Sequence, residues 1–236
     1  MPNLPPLSER LRAALPYIDQ GDVVADIGTD HAYLPIYLVL SGISPIAYAC
    51  DINEGPCLRA RENAEKYGVS DKILISKRNG ICGLESERID KFTIFGMGGE
   101  LIASILDEVP SLPIGTKFIL NPMTKAASLR SYLSSHGFSI LADSYARADG
   151  KIYQIIFAEK TGENEELSSI ELTLGKHALK APTPLMTEYT EKLLRDMRIA
   201  AEGRRSAGAT SPDDELLCDI ESFLSDYHKP DTKEVF

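Results

Sequence analysis

Five short apolar runs alternate with helical patterns along the first half of the chain. The runs are 23–28 (VVADIG), 46–52 (IAYACDI), 72–78 (KILISKR), 92–97 (FTIFGM) and 117–123 (KFILNPM). Between them lie LPIYLVLSG, GPCLRARENAEKYG, GELIASILDEV and KAASLRSYLSSHG, which read as helices. Pro35 and Pro56 suit helix first turns, and Gly68 and Gly137 suit helix ends. Strands that are apolar throughout and separated by helices predict a parallel sheet covered on both faces. Ahead of them, residues 8–18 carry Leu11, Ala14, Leu15 and Ile18 at helical spacing, which predicts a short amphipathic helix.

The pattern then changes. Residues 138–147 (FSILADSYAR) and 151–160 (KIYQIIFAEK) read as two strands joined around Asp149-Gly150, a hairpin signal. The polar, acidic stretch 161–169 (TGENEELSS) reads as a linker. Beyond it the pattern predicts two helices, 183–205 and 213–228, folding back on each other through Gly203–Pro212. The expected organisation is thus a sheet domain over residues 1–160 and a helical, coiled-coil-like extension over 161–236.

Composition narrows the class. At 236 residues, 43% hydrophobic and 25% charged, the chain has the balance of an ordinary globular protein. No stretch reaches the roughly 18 apolar residues of a membrane span. The start, MPNLPPLSERLRAALPYID, lacks the features of a secretory signal. Cys50, Cys57, Cys82 and Cys218 form no CxxC pair, so no metal site is expected and reduced thiols in the cytoplasm are. The net charge is −10, and residues 161–236 hold nine Lys and Arg against sixteen Asp and Glu. Such a chain does not bind nucleic acid indiscriminately; any RNA contact rests on local basic patches.

Candidate chemistry sits where strands end. The first strand-to-helix turn reads Asp26-Ile27-Gly28-Thr29-Asp30-His31-Ala32-Tyr33. It has one glycine, then Asp30 and Tyr33 where a dinucleotide motif places its second and third glycines. A pyrophosphate needs positive potential there, which Asp30 opposes. A sulfonium and an α-amino group are favoured by the same carboxylates, so the turn prefers S-adenosylmethionine to NAD. Asp51 ends the second strand, where a carboxylate can accept ribose hydroxyls. After the third strand, Arg78-Asn79-Gly80 offers an amide to an adenine edge and a glycine to clear space. The fourth strand ends in Phe95-Gly96-Met97-Gly98-Gly99, a turn where substrate and donor would meet. Each residue also has a structural alternative. Asp26 can cap a helix, His31 can start one, Asp51 can be a turn residue, and the glycines can simply permit a tight turn.

Assembled, these stretches closely resemble the tRNA (adenine-22-N1)-methyltransferase family. The resemblance lies in LSERLRAAL, VADIGTDHAYLPIYL, DINEGP, RNG, FGMGGELI, NPM, LRSYLSSHGF and ADGKIYQIIFAE, spanning about residues 7–160. It implies a Rossmann-like class I methyltransferase sheet, mostly parallel with an antiparallel terminal hairpin, plus a C-terminal helical extension. It also implies S-adenosyl-L-methionine as cofactor and tRNA as substrate. Two departures stand out: Asn79 replaces the acidic residue many methyltransferases carry, and Asn121 stands where the family commonly has glutamine. The expected donor-binding set is Arg10, Asp26, Gly28, Asp30, His31, Asp51, Ile52, Asn79, Gly80 and Gly96. The expected catalytic set is Asp30, Gly96 and Met97.

Adenine N1 has an in-plane lone pair and needs no prior deprotonation, so catalysis would rest on alignment. Asp30 has two candidate roles, acceptor for the charge on the methylated base or holder of the donor's amino group. A paired base hides N1, so extrusion of the nucleotide is expected, with Tyr33 and Tyr153 as candidate stacking partners and core packing the favoured reading of Tyr153. Candidate phosphate contacts are Arg10, Arg12, Arg130, Arg147, Arg195, Arg198, Arg204 and Arg205, the last four interleaved with acids and equally readable as an ordinary solvated face. A small-molecule methyltransferase and a non-catalytic dinucleotide-binding regulator are the competing readings. A monomer or weak homodimer without membrane attachment is expected.

Overall fold

The computed structural model describes residues 4–84, 87–109, 112–206 and 214–228. It divides into two compact units that part after Leu167.

The first unit is built on a seven-stranded sheet. Its strands are β1 (Val24–Ile27), β2 (Ala47–Asp51), β3 (Ile73–Lys77), β4 (Lys91–Met97), β5 (Lys117–Pro122), β6 (Phe138–Ala148) and β7 (Lys151–Lys160), in the order β3-β2-β1-β4-β5-β7-β6. The first five are parallel, and β7 runs antiparallel to both β5 and β6. The hairpin expected at Asp149-Gly150 is present, with both residues at positive φ (50° and 70°), the backbone a two-residue hairpin turn demands.

Helices α1 (Glu9–Arg12), α2 (Tyr33–Leu40), α3 (Glu54–Lys66), α4 (Gly99–Asp107) and α5 (Ala126–Ser135) flank the sheet. On one face Ile27, Ile94, Phe118 and Leu120 pack with Ile102, Leu106 and Leu133 of α4 and α5. On the other, Val24, Ile119 and Ile155 pack with Leu7, Ala14, Leu34 and Leu38. The helix expected over 8–18 is shorter than its pattern. Ser8 caps α1, which stops at Arg12, and a 3-10 turn follows at Leu15–Tyr17 around Pro16, whose ring is incompatible with a helix interior.

Residues 161–167, expected as linker, belong to the sheet unit. Thr161 and Gly162 donate to the Gly137 carbonyl, Glu165 donates to Ser134, and Leu167 packs on the core. The second unit holds α6 (Ser169–Leu174), α7 (Lys176–Lys180), α8 (Pro184–Ser206) and α9 (Asp214–Tyr227). Ser168 and Glu171 form a capping box that starts α6, and Gly175 divides α6 from α7. Arg198 pairs with Glu221 and Glu191 with His228, so α8 and α9 lie antiparallel, as their patterns suggest. The connection expected at Gly203–Pro212 falls partly outside the described residues, and the four positions 203–206 are the last of α8.

Candidate active site

Because β1 to β5 are parallel, their carboxyl ends share one edge. Strand order reverses between β1 and β4, and open α/β sheets bind ligands in the crevice above such a point. The first turn closes there. Gly28 and Thr29 donate to the Cys50 carbonyl at 2.8 and 2.9 Å, tying the turn to β2. Gly28 adopts φ +77°, and a Cβ on it would stand 2.1 Å from Met97 Cε. Met97 thus forms the wall of the turn from the end of β4.

Asp51 closes β2 half-buried, accepting from the Asn53 N–H at 2.7 Å. Its other oxygen takes no hydrogen bond among the described residues, and Ile52 beside it is 57% exposed. Asp26 lies two residues inside β1 and is buried, with Thr93 donating to it at 2.8 Å. Burial pushes its carboxyl up to about 6, against the hydrogen bonds of Thr93 and Thr29, with the Asp51 charge adding to the rise.

Asp30 is exposed and already partnered. It accepts from Arg59 of α3 in a close ion pair and lies 3.2 Å from His31 Nε2. The His31 ring stacks on Tyr33 with centroids 5.2 Å apart, and its carbonyl accepts from Asn63 at 3.0 Å. Asn63 and Arg59 were not singled out in the sequence, although both lie in the helix that follows Asp51.

The loop after β3 is held against α4. Asn79 donates its amide to Glu108 at 2.7 Å, and a Cβ on Gly80 would stand 2.9 Å from Ile105 Cγ2. Gly80 therefore lets the loop press against α4. In the glycine turn, Gly99 donates to the Thr124 carbonyl at 2.8 Å, and a Cβ there would fall 2.2 Å from Lys125 O. Gly99 is demanded by close backbone approach. Gly96 is different: it bulges from β4 at φ +81° and is exposed.

Arg10 reaches this bulge from α1. Its guanidinium lies 3.6 Å from the Cβ position of Gly96, donates to Met123 Sδ at 2.9 Å, and stands 5.6 Å from the Tyr153 ring centre. Met123 was missed as a site residue. Among the described residues no carboxylate lies within ion-pair distance of Arg10.

The other basic candidates scatter. Arg130, expected at a phosphate, is fully buried and donates through Nε and Nη2 to Asp143 at 3.0 and 2.9 Å, so no RNA can reach it. Arg12 pairs with Glu9 and Arg198 with Glu221. Arg147 and Arg195 are exposed, Arg204 is half-buried, and the Arg205 side chain lies outside the described residues. At the opposite edge of the sheet, Lys91 is closed off by Asp19 and Asp22, each at 2.5 Å.

A switch-point crevice with an acidic residue ending β2 and an antiparallel last pair of strands defines a methyltransferase, and a model described as a methyltransferase domain matches residues 7–156. The curated tRNA (adenine(22)-N(1))-methyltransferase of Bacillus subtilis is 36% identical over 72% of this chain and 71% of its own. A candidate tRNA (m1A22) methyltransferase from Streptococcus pneumoniae, solved in complex with S-adenosyl-L-methionine, superposes with TM-score 0.79 at 32% identity, covering 94% of this chain and 99% of that one. TrmK of M. capricolum, solved with S-adenosyl-homocysteine, gives TM-score 0.73 at 29% identity over 94% and 97%. The chain belongs to the tRNA (adenine(22)-N(1))-methyltransferase family.

Proposed function

We propose that the protein transfers a methyl group from S-adenosyl-L-methionine to N1 of an adenine in tRNA. The observation that carries this is the division of one sheet edge into two halves. Asp51, Ile52 and the Gly28 turn occupy the β1–β2 side, and Gly96, Arg10, Met123 and Tyr153 occupy the β4–β7 side. The first half has the chemistry of a donor site and the second that of an acceptor site.

The donor half fits its cofactor. Asp51 presents an oxygen without a partner among the described residues, suited to ribose hydroxyls, and exposed Ile52 offers an apolar surface beside it. Gly28, His31 and Asp30 form the turn beside it, and Asp26 supports it from inside β1. Bound there, S-adenosyl-L-methionine supplies an electrophilic methyl on a positively charged sulfur.

The protein's own task is positioning, because adenine N1 needs no base before it attacks. Gly96 and Met97 form the floor between the two halves, and the tip of Met97 packs on the Gly28 turn. The Met97 carbonyl is engaged by the Met123 N–H at 2.8 Å, which ties the floor to the end of β5. Asp30 contributes negative charge at the rim. Its pairing with Arg59 and His31 supports a role in holding the donor side over one in taking a proton from N6. Arg10 supplies positive charge on the acceptor side, where RNA phosphate would lie.

Among the described residues no helix is long and apolar enough to cross a membrane. Action on tRNA in the cytoplasm, by a monomer or weak homodimer, completes the proposal; the residues invoked all come from one chain.

Two arms test it. Transfer of labelled methyl from the donor to bulk tRNA is expected, with none to a pool of small metabolites. Calorimetry is expected to show donor binding and no NADH binding. Label confined to the metabolite pool, or NADH binding alone, would overturn it.

A further inference from the structure

We propose that Tyr153 is the platform on which the acceptor adenine stacks, and that Arg10 is a movable cover on that platform. This rests on the tRNA assignment above and deepens it.

Register carries the first part. In β5 and β7, Leu120 faces Ile156, and continuing the antiparallel pairing sets Tyr153 level with Met123, just beyond the carboxyl end of β5. Tyr153 therefore stands at the edge where the chemistry is placed. Further along the same strand face, Ile155 and Phe157 are core, and Tyr17 stacks on Phe157 at 5.0 Å. Tyr153 departs from them. It is half-buried, and its hydroxyl takes no hydrogen bond among the described residues. What touches its ring is the Arg10 guanidinium, 5.6 Å from the centre.

Charge carries the second part. Arg59, Arg61, Arg130 and Arg198 each have a carboxylate partner, whereas Arg10 holds a thioether sulfur and an aromatic face. Both contacts are weak enough to exchange for a phosphate oxygen, a stronger and charge-assisted partner. A base out of its helix needs a π-face, and a strand brought to this edge carries phosphate beside it. When Arg10 turns to the phosphate, the ring it leaves is the surface the adenine requires. Gly96 lies under the guanidinium, its Cβ position at an ordinary contact distance of 3.6 Å, so the bulge and Arg10 border the same surface.

The test uses the full chain, tRNA and a tRNA hairpin carrying 2-aminopurine at the target adenine. Tyr153→Leu should lower kcat/KM for tRNA roughly tenfold or more, the scale of losing one base–aromatic stack. Donor affinity should be unchanged, and the fluorescence quench that reports stacking should disappear. Tyr153→Phe and Tyr153→Trp should retain both. Arg10→Ala should raise KM for tRNA more than it lowers kcat, and should reduce the salt slope of binding by about one. Tyr153→Leu folded as wild type, by circular dichroism and donor binding, yet with full kcat/KM and quench would overturn the platform. An unchanged salt slope in Arg10→Ala would overturn the cover. If wild-type protein makes no 1-methyladenosine, the tRNA assignment falls and this inference with it; failure of the variants alone leaves that assignment standing.

Discussion

Met97 Cε occupies the place where a side chain on Gly28 would begin, 2.1 Å from the position of its Cβ. The end of β4 thereby packs on the turn after β1 through the flexible tip of Met97, and the left-handed φ of +77° at Gly28 is the firmer constraint. Gly28→Ala is expected to cost about 1–3 kcal/mol from the left-handed backbone, with a smaller further loss as the flexible Met97 tip is displaced. Met97→Ala in the same chain should recover the clash and leave the backbone cost. Urea denaturation of the two single variants and the double variant measures this; additive losses would show that the contact is not the cause.

Asp26 gives the protein a pH dependence with a definite sign. Its carboxyl is raised by burial to about 6, above the ordinary 3.8, so the folded state holds its proton more tightly than the unfolded state. Stability from this group is full below about pH 4 and is lost as pH rises towards 6, a loss on the order of 3 kcal/mol. Asp26→Asn keeps an acceptor for Thr93 and removes the titration. Its stability should therefore exceed wild type at pH 7 and match it near pH 4, read from denaturation at each pH.

Arg130 and Asp143 form a buried pair between α5 and β6, with side chains 1% and 0% exposed. Arg130→Ala removes the guanidinium from a buried carboxylate and is expected to cost about 3–5 kcal/mol. The salt dependence of tRNA binding should stay as in wild type. A shallower salt slope with unchanged stability would return Arg130 to the RNA surface.

Much of this was legible in the chain. Continuous apolar strands and helix punctuation located β1 to β5, and Asp149-Gly150 located the hairpin, because these signals are local. The placement of Asp51 also followed from order alone. What the pattern could not carry was side-chain destination. Arg10 and Arg130 look alike as basic residues in amphipathic helices, yet one reaches Tyr153 and the other is buried on Asp143. Gly80 reads as space for an adenine, and the structure adds Ile105 of α4 close behind it; Gly99 is demanded by the Lys125 backbone. Such outcomes depend on contacts between residues distant in sequence. The α6–α7 pair was missed because each is a short helix with too few turns to show a stripe.

The Asp30–Arg59 pair predicts a coupled effect. The pair is exposed, so stability should change by less than about 1 kcal/mol in either variant. Asp30→Asn and Arg59→Gln should each raise the donor KM, with the double variant little worse than either, while turnover at saturating donor stays within a few-fold. Abolished turnover in Asp30→Asn at saturating donor would assign it the proton-accepting role instead.

The most direct measurement is mass spectrometry of tRNA nucleosides after incubation with deuteromethyl-labelled S-adenosyl-L-methionine, using wild type and Asp51→Ala. Labelled 1-methyladenosine is expected from wild type. The variant should need about 10- to 100-fold more donor for the same yield, the scale of lost hydrogen bonds to a charged group. Label on N6 or on another base, no label in tRNA, or an Asp51→Ala variant with wild-type donor dependence would contradict the assignment of this edge to N1 methyl transfer.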